Sequence, residues 1–398
     1  MALTLANRLS LPAILGRAPH WLAQNAVARK ALWYADFRRG QFARNGLARG
    51  FPQMGGFSSA GMRYERAASG LLVPRGVDEP RLADYSTGAR RWLMEGMATN
   101  QFGSYYATTN AIVTSMPDEI GPDGATGGVN RVRLSALPSS SVQFQTAGSL
   151  TADNKVISIY IKEFGVSGTN DICLYGSKAG GNTQGPIETA ISEWRRIDLD
   201  ATDNTAVYLN NFDDSFASDV LVALPMVEYG FSATSPVGVN STRAPDLFTS
   251  DFSSFDLSGG FWVFLQCLAQ VKAGEDQALL RLAGSGGDFC DILSPSSAPD
   301  LLRIRQRASA TTSTVQTSHT YGNGLSMAAL FKENELRLVY SGTEATPDLT
   351  SPFSAPDVLY LADLDGAGSS HIVSAAYEKL WIAPASAYTV ADMKALTA

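Results

Sequence analysis

Three histidines (His20, His319, His371) and three cysteines (Cys173, Cys267, Cys290) are the residues of this 398-residue chain best suited to soft-metal or nucleophilic chemistry. They stand far apart, without the paired spacings of a zinc site or the density of a disulfide framework. No Gly-x-Ser-x-Gly elbow is followed by a base. Gly55-Gly56, Gly180-Gly181 and Gly284-Ser285-Gly286-Gly287 sit in turn-like surroundings, without the following helix that a phosphate-binding loop requires. The pairs Asp198/Asp200, Asp213/Asp214 and Asp363/Asp365 are of the type that cleaves glycosides when two acids stand roughly 5–10 Å apart. Alternating or adjacent aspartates in loops more commonly serve turns and solubility. Asp363-Leu364-Asp365-Gly366 opens like a calcium loop but lacks the later ligands. No catalytic residue, metal site or cofactor is therefore assigned, and the expectation is a non-enzyme.

Binding chemistry has more support. Sugar rings lay their apolar faces on flat side chains while their hydroxyls meet polar and charged groups. Tyr105 and Tyr106 lie in a polar stretch, Tyr208 precedes Asn210-Asn211, and Tyr321 follows His319-Thr320. In Leu302–Arg307 strict alternation places Arg303, Arg305 and Arg307 on one strand face. Tyr105, Tyr106, Tyr208, Tyr321, Arg303 and Arg305 are the glycan-binding candidates. Taken singly, each tyrosine is better read as rim packing of a sandwich. Trp194, Trp262 and Trp381 fall inside strand runs and are expected in cores.

The elements that must position these residues are short strands. Apolar residues make up 45%, enough for real cores, but charged residues only 17%, which does not suit long solvated helices. The 36 glycines and 18 prolines fit many turns. No apolar run reaches the roughly 20 residues of a membrane helix, and the N-terminus, interrupted by Arg8 and Arg17, does not read as a signal peptide. Strands are expected at Val142–Thr146, Val156–Lys162, Asp171–Tyr175, Trp194–Leu199, Ala206–Leu209 and Val220–Val227, with Pro225 marking an edge or a bulge. A second series runs through Phe261–Leu268, Ala278–Leu282, Leu302–Arg307, Leu325–Phe331, Glu335–Tyr340 and Tyr377–Ile382, with Lys332-Glu333-Asn334 turning a hairpin. Thr389 and Asp392 have capping-box spacing for a terminal helix. The fold class is all-β: two tandem antiparallel sandwiches preceded by a partly helical, extended arm.

The net charge of −7 is unevenly placed. Residues 1–50 carry +7, eight Lys/Arg against Asp36, so the remainder carries −14. Ala18–Tyr34 has the spacing of an amphipathic helix, and residues 36–61 read as an extended arm without a core of its own. Such an arm docks on an acidic partner, nucleic acid or membrane surface, or its arginines solvate a helix face. Trp21, Trp33, Arg38, Arg39 and Phe42 are its candidate contacts. The divisions are 1–60 (arm), 61–95 (connecting β segment), 96–247 (first sandwich) and 248–398 (second sandwich). Residues 61–398 are expected to fold without the arm.

Several motifs resemble a passage of bacteriophage and prophage structural proteins. They are Arg63-Tyr64-Glu65-Arg66 leading to Ser69-Gly70-Leu71-Leu72-Val73, then Glu79-Pro80-Arg81-Leu82-Ala83-Asp84-Tyr85, then Trp92-Leu93-Met94-Glu95-Gly96-Met97-Ala98-Thr99-Asn100. Pro122-Asp123-Gly124-Ala125, Ser158–Lys162 and Trp194-Arg195-Arg196 fit between these and Val227-Glu228-Tyr229-Gly230 through Ser235, followed by Thr242-Arg243-Ala244-Pro245-Asp246. Residues 248–398 are similar to concanavalin A-like, or laminin-G-like, sandwiches, with Leu380-Trp381-Ile382-Ala383-Pro384 as a typical last strand. Residues 101–110 depart from the acidic-aromatic loop of that family. The resemblance covers residues 60–398 and implies a carbohydrate-binding-like jelly roll over 96–247, a concanavalin A-like sandwich over 248–398, and a head-spike or tail-fibre protein of a phage or gene transfer agent.

Such a protein is made in a bacterial cytoplasm and carried on the particle surface. The partners implied are capsid or tail proteins, other copies of itself, another fibre protein, and host cell-surface polysaccharide, with neither nucleic acid bound nor membrane entered. Two alternatives remain: a structural adaptor joining the particle to another fibre without binding glycan, and a glycan depolymerase.

Overall fold

Alternation in the sequence becomes burial in the fold. In Leu301–Ala308 the residues Leu302, Ile304, Gln306 and Ala308 are buried, while the intervening leucine and arginines are half-exposed. The same rule holds through most of the computed structural model. It describes residues 19–398 apart from 60–62, 67–71, 82–90, 96–97, 108–109, 138–139, 147–154, 165–170, 179, 190, 203, 212–216, 230–235, 237–240, 271–275, 322 and 363–373. The Asp213/Asp214 and Asp363/Asp365 pairs, the calcium-loop fragment and His371 lie outside the described residues.

The chain is all-β, in two antiparallel sandwiches. The larger packs a nine-stranded sheet against a seven-stranded one around a core that includes Trp33, Trp92, Phe248, Val263, Leu280, Ile304, Leu338 and Ile382. The smaller, a jelly roll, packs two five-stranded sheets. Its core joins Val132, Ile157, Ile159 and Ile161 of one sheet to Val142, Phe144, Leu174 and Leu209 of the other.

The arm is part of the larger sandwich. Trp33–Asp36 lies beside Ser374–Pro384, with Trp33 opposite Ile382, and continues through Gln41–Arg44 to Leu47–Arg49 at the sheet edge. Gly56–Ser59 joins the other sheet beside Asp246–Asp251. Trp33 Nε1 and Ser250 Oγ both donate to the Met54 carbonyl, at 3.1 and 2.6 Å. Phe37, Phe51 and Phe248 surround Trp92 with ring centroids 4.8–4.9 Å away. Trp92–Met94 also pairs with the strand Ser374–Pro384. The larger sandwich is therefore discontinuous, built from residues 33–59, 92–94 and 246–384, and the jelly roll is an insertion within it.

Two short pieces, His20–Gln24 and Ala26–Lys30, replace the single helix expected over 18–34. Asn25 interrupts it with an extended backbone, accepts from Ala28 N–H to cap the second piece, and donates to Tyr34 Oη at 2.8 Å. Sheet pairing then captures Leu32, whose N–H donates to Ile382 O at 2.8 Å. Pro225 marks a bulge in a central strand, not an edge: pairing of Ser218–Tyr229 with Lys155–Glu163 skips Leu224, whose φ is 48°. The terminal helix Val390–Thr397 carries the Thr389/Asp392 capping box.

Each sandwich has one covered outer face. On the nine-stranded sheet, Leu22, Ala28 and Met393 from terminal helices bury Tyr34, Trp262, Phe264 and Trp381. On the jelly roll, Leu72 and Tyr64 of the hairpin formed by Arg63–Arg66 and Leu72–Arg75 pack with Tyr160, Trp194, Leu221 and Ala223.

Where the chain enters and leaves the jelly roll, four charges are buried together. Arg81 Nη1 lies 2.6 Å from Glu95 Oε2 and Nη2 lies 2.8 Å from Asp246 Oδ2, while Arg243 Nη1 lies 3.1 Å from Glu95 Oε2. Reciprocal backbone contacts reinforce the crossing, since Glu95 N–H donates to Asp246 Oδ2 and Asp246 N–H to Glu95 O, each at 2.9 Å.

Arg81→Ala leaves two carboxylates buried against one guanidinium and is expected to cost about 3–5 kcal/mol, read as a lower urea midpoint; an unchanged midpoint would refute the role given to this cluster. Deleting residues 1–60 removes four strands together with Trp33 and Met54 from the core. The expected product is an insoluble or unfolded chain, and a cooperative melt of residues 61–398 would show the sandwich to be closed without them.

Candidate functional site

The two outer faces left uncovered by described elements hold four of the six binding candidates. On the jelly roll the open sheet runs Thr183–Gln184, Ile172–Ser177, Ala206–Asn211, Ser141–Thr146, Phe102–Ala107. Its register sets Tyr106 opposite Gln143, Gln143 opposite Tyr208, Tyr208 opposite Tyr175, and Tyr175 opposite Gln184. Directly paired residues project from the same face, so these five form one row across all five strands. Neighbouring strands lie about 4.8 Å apart, which puts Tyr106 about 10 Å from Tyr208 with an amide between them. Tyr106 is 56% exposed, and Gln143, Tyr208 and Tyr175 are half-buried. Along the same face Ser104 Oγ donates to Gln145 Oε1 at 3.0 Å. The row offers flat rings for stacking, with hydroxyls and amides that both donate and accept.

Tyr105 is not part of it. Adjacent residues of a strand point to opposite faces, so Tyr105 turns into the core against Phe102 and Phe144, with centroids 4.8 and 5.7 Å away. Its hydroxyl is buried without a partner among the described residues, and burial pushes its pKa up. Tyr321 is likewise a packing residue at the rim of the larger core. Its ring meets His319 edge-on at 4.6 Å, its hydroxyl donates to Leu301 O at 3.3 Å, and burial raises its pKa.

Arg303 and Arg305 belong to the open face of the seven-stranded sheet. There Arg281, Asp291 and Arg305 stand side by side in register. Asp291 is fully buried and accepts from Arg281 Nη2 and from both Nε and Nη2 of Arg305, at 2.9–3.0 Å. Arg305 Nη1 also reaches Asp276 Oδ2 at 3.0 Å. Burial alone would raise the Asp276 carboxyl, but the Ser296 N–H and Arg305 outweigh it and hold it low. The six candidates thus divide into a tyrosine row, an arginine face and two packing residues.

Of the arm contacts, Trp33 and Phe42 are buried inside the larger sandwich, so neither is available to a partner. Arg38 and Arg39 are exposed and Trp21 is half-buried, stacked on Tyr34. Tyr175 and Gln143 escaped the sequence reading. Alternation in Asp171–Tyr175 does place Tyr175 opposite to Ile172 and Leu174, but strand register is what aligns it with Tyr208.

No family model matches the chain, and no curated protein does. Solved structures resemble it distantly. Domains LG4-5 of the mouse laminin α1 chain share 10% identity at a TM-score of 0.27, over 71% of this chain and 92% of theirs. The CBM40 of a Ruminococcus gnavus IT-sialidase, bound to α2,6 sialyllactose, shares 11% at 0.28, over 35% of this chain and 84% of its own. The binding domain of botulinum neurotoxin DC in complex with rat synaptotagmin II shares 6% at 0.31, over 40% of each chain. The chain spans about two fifths of the length of that protein. Likeness at this distance assigns this chain no activity.

The packing role of the Tyr321 region has a pH signature. His319 is buried, with Nδ1 2.9 Å from Tyr340 Oη and Nε2 without a partner among the described residues. Burial lowers its pKa, so the unfolded chain takes up the proton first. Stability from this group is complete above about pH 6.5 and is lost as the pH falls through the folded value. The melting temperature should therefore decline on going from about pH 7 to pH 5.5, and His319→Gln should flatten that decline; an equal slope in the variant would contradict the assignment.

Proposed function

We propose that this protein is a non-enzymatic surface component of a phage or phage-like particle, a head spike or fibre, that binds host cell-surface polysaccharide. The observation that carries the binding role is the row Tyr106–Gln143–Tyr208–Tyr175–Gln184 on the open face of the jelly roll. A saccharide chain crossing the strands would stack on successive tyrosines while the glutamine amides meet its hydroxyls. Affinity per site is modest in such a design, and several copies on one particle bind together through avidity. Symmetric self-association fits that use.

The particle location follows from the phage-protein motifs in residues 60–246. With Trp33 and Phe42 committed to the core, attachment falls to the basic surface around Arg38 and Arg39, at the edge of the larger sandwich.

Fluorescently labelled full-length protein tests this on host cells with and without capsule. The expected result is capsule-dependent binding, weakened about tenfold by Tyr106→Ala and again by Tyr208→Ala, the scale of losing an aromatic contact in a largely desolvated site. Equal staining of bare cells, or full binding by the folded double variant, would overturn the proposal.

A further inference from the structure

We infer that the open face of the seven-stranded sheet is a second binding site, selective for an acidic saccharide that carries carboxylate or sulfate groups. The inference takes its class of occupant from the glycan-binding reading and extends it to a different sandwich and a different chemistry.

Four guanidiniums converge there. Arg303, Arg305 and Arg307 alternate along one strand, and Arg281 stands two strands away across Asp291. Asp291 and Asp276 hold Arg281 and Arg305 in fixed geometry, so an incoming anion need not order them. Phe289, opposite Arg307 in the register, packs beneath three of the four, with guanidinium carbons 4.3 Å (Arg281), 5.5 Å (Arg305) and 5.9 Å (Arg307) from its ring centre. Arg303 Nε donates to Gln316 Oε1 at 3.0 Å. Among the described residues, neither Arg303 nor Arg307 makes an ion pair.

The third nearby carboxylate, Asp288, turns to accept from Ser309 N–H at 3.1 Å. Among the described residues, four arginines stand on this face against Asp276, Asp288 and Asp291, on a chain whose net charge is −7. Each guanidinium has five N–H donors in a planar fork that matches carboxylate or sulfate oxygens. Arg305 spends three of its five donors on the aspartates, while Arg303 and Arg307, half-exposed on the same strand face, keep their forks clear of any carboxylate among the described residues. Nucleic acid is the other polyanion to weigh. Single strands need several exposed rings on which successive bases stack; on this face Arg281 covers the ring of Phe289, and Tyr360, opposite Arg281 in the register, is half-buried. The face therefore favours an acidic saccharide.

The test measures retention of the full-length protein by three immobilised polymers: heparin for sulfate, polygalacturonate for carboxylate, and dextran as a neutral control. Arg303→Ser combined with Arg307→Ser is the informative variant, because neither residue supports Asp291 and the fold should survive, as its melting temperature will report. The expected result is retention by heparin, polygalacturonate or both but not by dextran, weakened about tenfold in the double variant and with a shallower dependence on salt. Tyr106→Ala should leave this retention unchanged, so loss of the tyrosine site and loss of the arginine site are read separately. The inference falls if neither acidic polymer retains the folded protein at low salt, if the double variant binds as well as the parent, or if oligodeoxythymidine is retained as strongly as the acidic polymers.

Discussion

Arg81, Glu95, Arg243 and Asp246 are buried together where the chain enters and leaves the jelly-roll strands. Removing four charges from water is costly, and their mutual attraction does little more than offset that cost. What the cluster contributes is a fixed arrangement. Glu95 lies just before the jelly roll and Asp246 opens the strand that follows it, and each accepts the other's backbone N–H. Misalignment of the two crossing segments would strand a charge in the interior. Asn100, just inside the insertion, adds a second latch: its Oδ1 accepts from Phe102 and Val227 N–H and its Nδ2 donates to Pro225 O. An insertion of well over a hundred residues thereby leaves the surrounding sheets in register.

The division between covered and open faces follows from which segments reach which sheet. The terminal helices cover the nine-stranded sheet, where Trp262, Phe264 and Trp381 would otherwise meet water. The 63–75 hairpin covers the jelly-roll sheet that carries Tyr160, Trp194 and Leu221. The faces left open bear tyrosines and glutamines in one sandwich and arginines in the other. Large aromatic rings are thus treated in two ways, buried under a dedicated cover or presented singly in a polar row. Presentation of rings and fixed guanidiniums on rigid sheets keeps the entropic cost of binding low.

Much of this could be read from residue order. Alternation located twelve of the described strands within about three residues, including Leu301–Ala308 with its arginine face, and Thr389 with Asp392 announced the last helix. Pro225 signalled a bulge. The arm gives no local signal because residues 36–61 show no period: Phe37, Phe51 and Phe57 are spaced irregularly and meet on Trp92, which is remote in sequence, while Phe42 packs on Phe37 and Phe51. Tyr105 and Tyr106 looked equivalent by composition, yet a strand can turn only one of two neighbours outward.

The sequence by itself determined the all-β class, the two-sandwich plan, and the inward and outward sides of the strands that alternation located. These are local properties, set by period and composition over a few residues. The tertiary structure alone decided that residues 33–59 complete the distant sandwich, that the jelly roll is inserted within it, and that Tyr106, Tyr208 and Tyr175 share one row. Those outcomes rest on pairing register and on contacts between residues as remote in sequence as Trp33 and Ile382. Such pairings are selected by the burial of whole faces at once, and no local stretch of the chain records that.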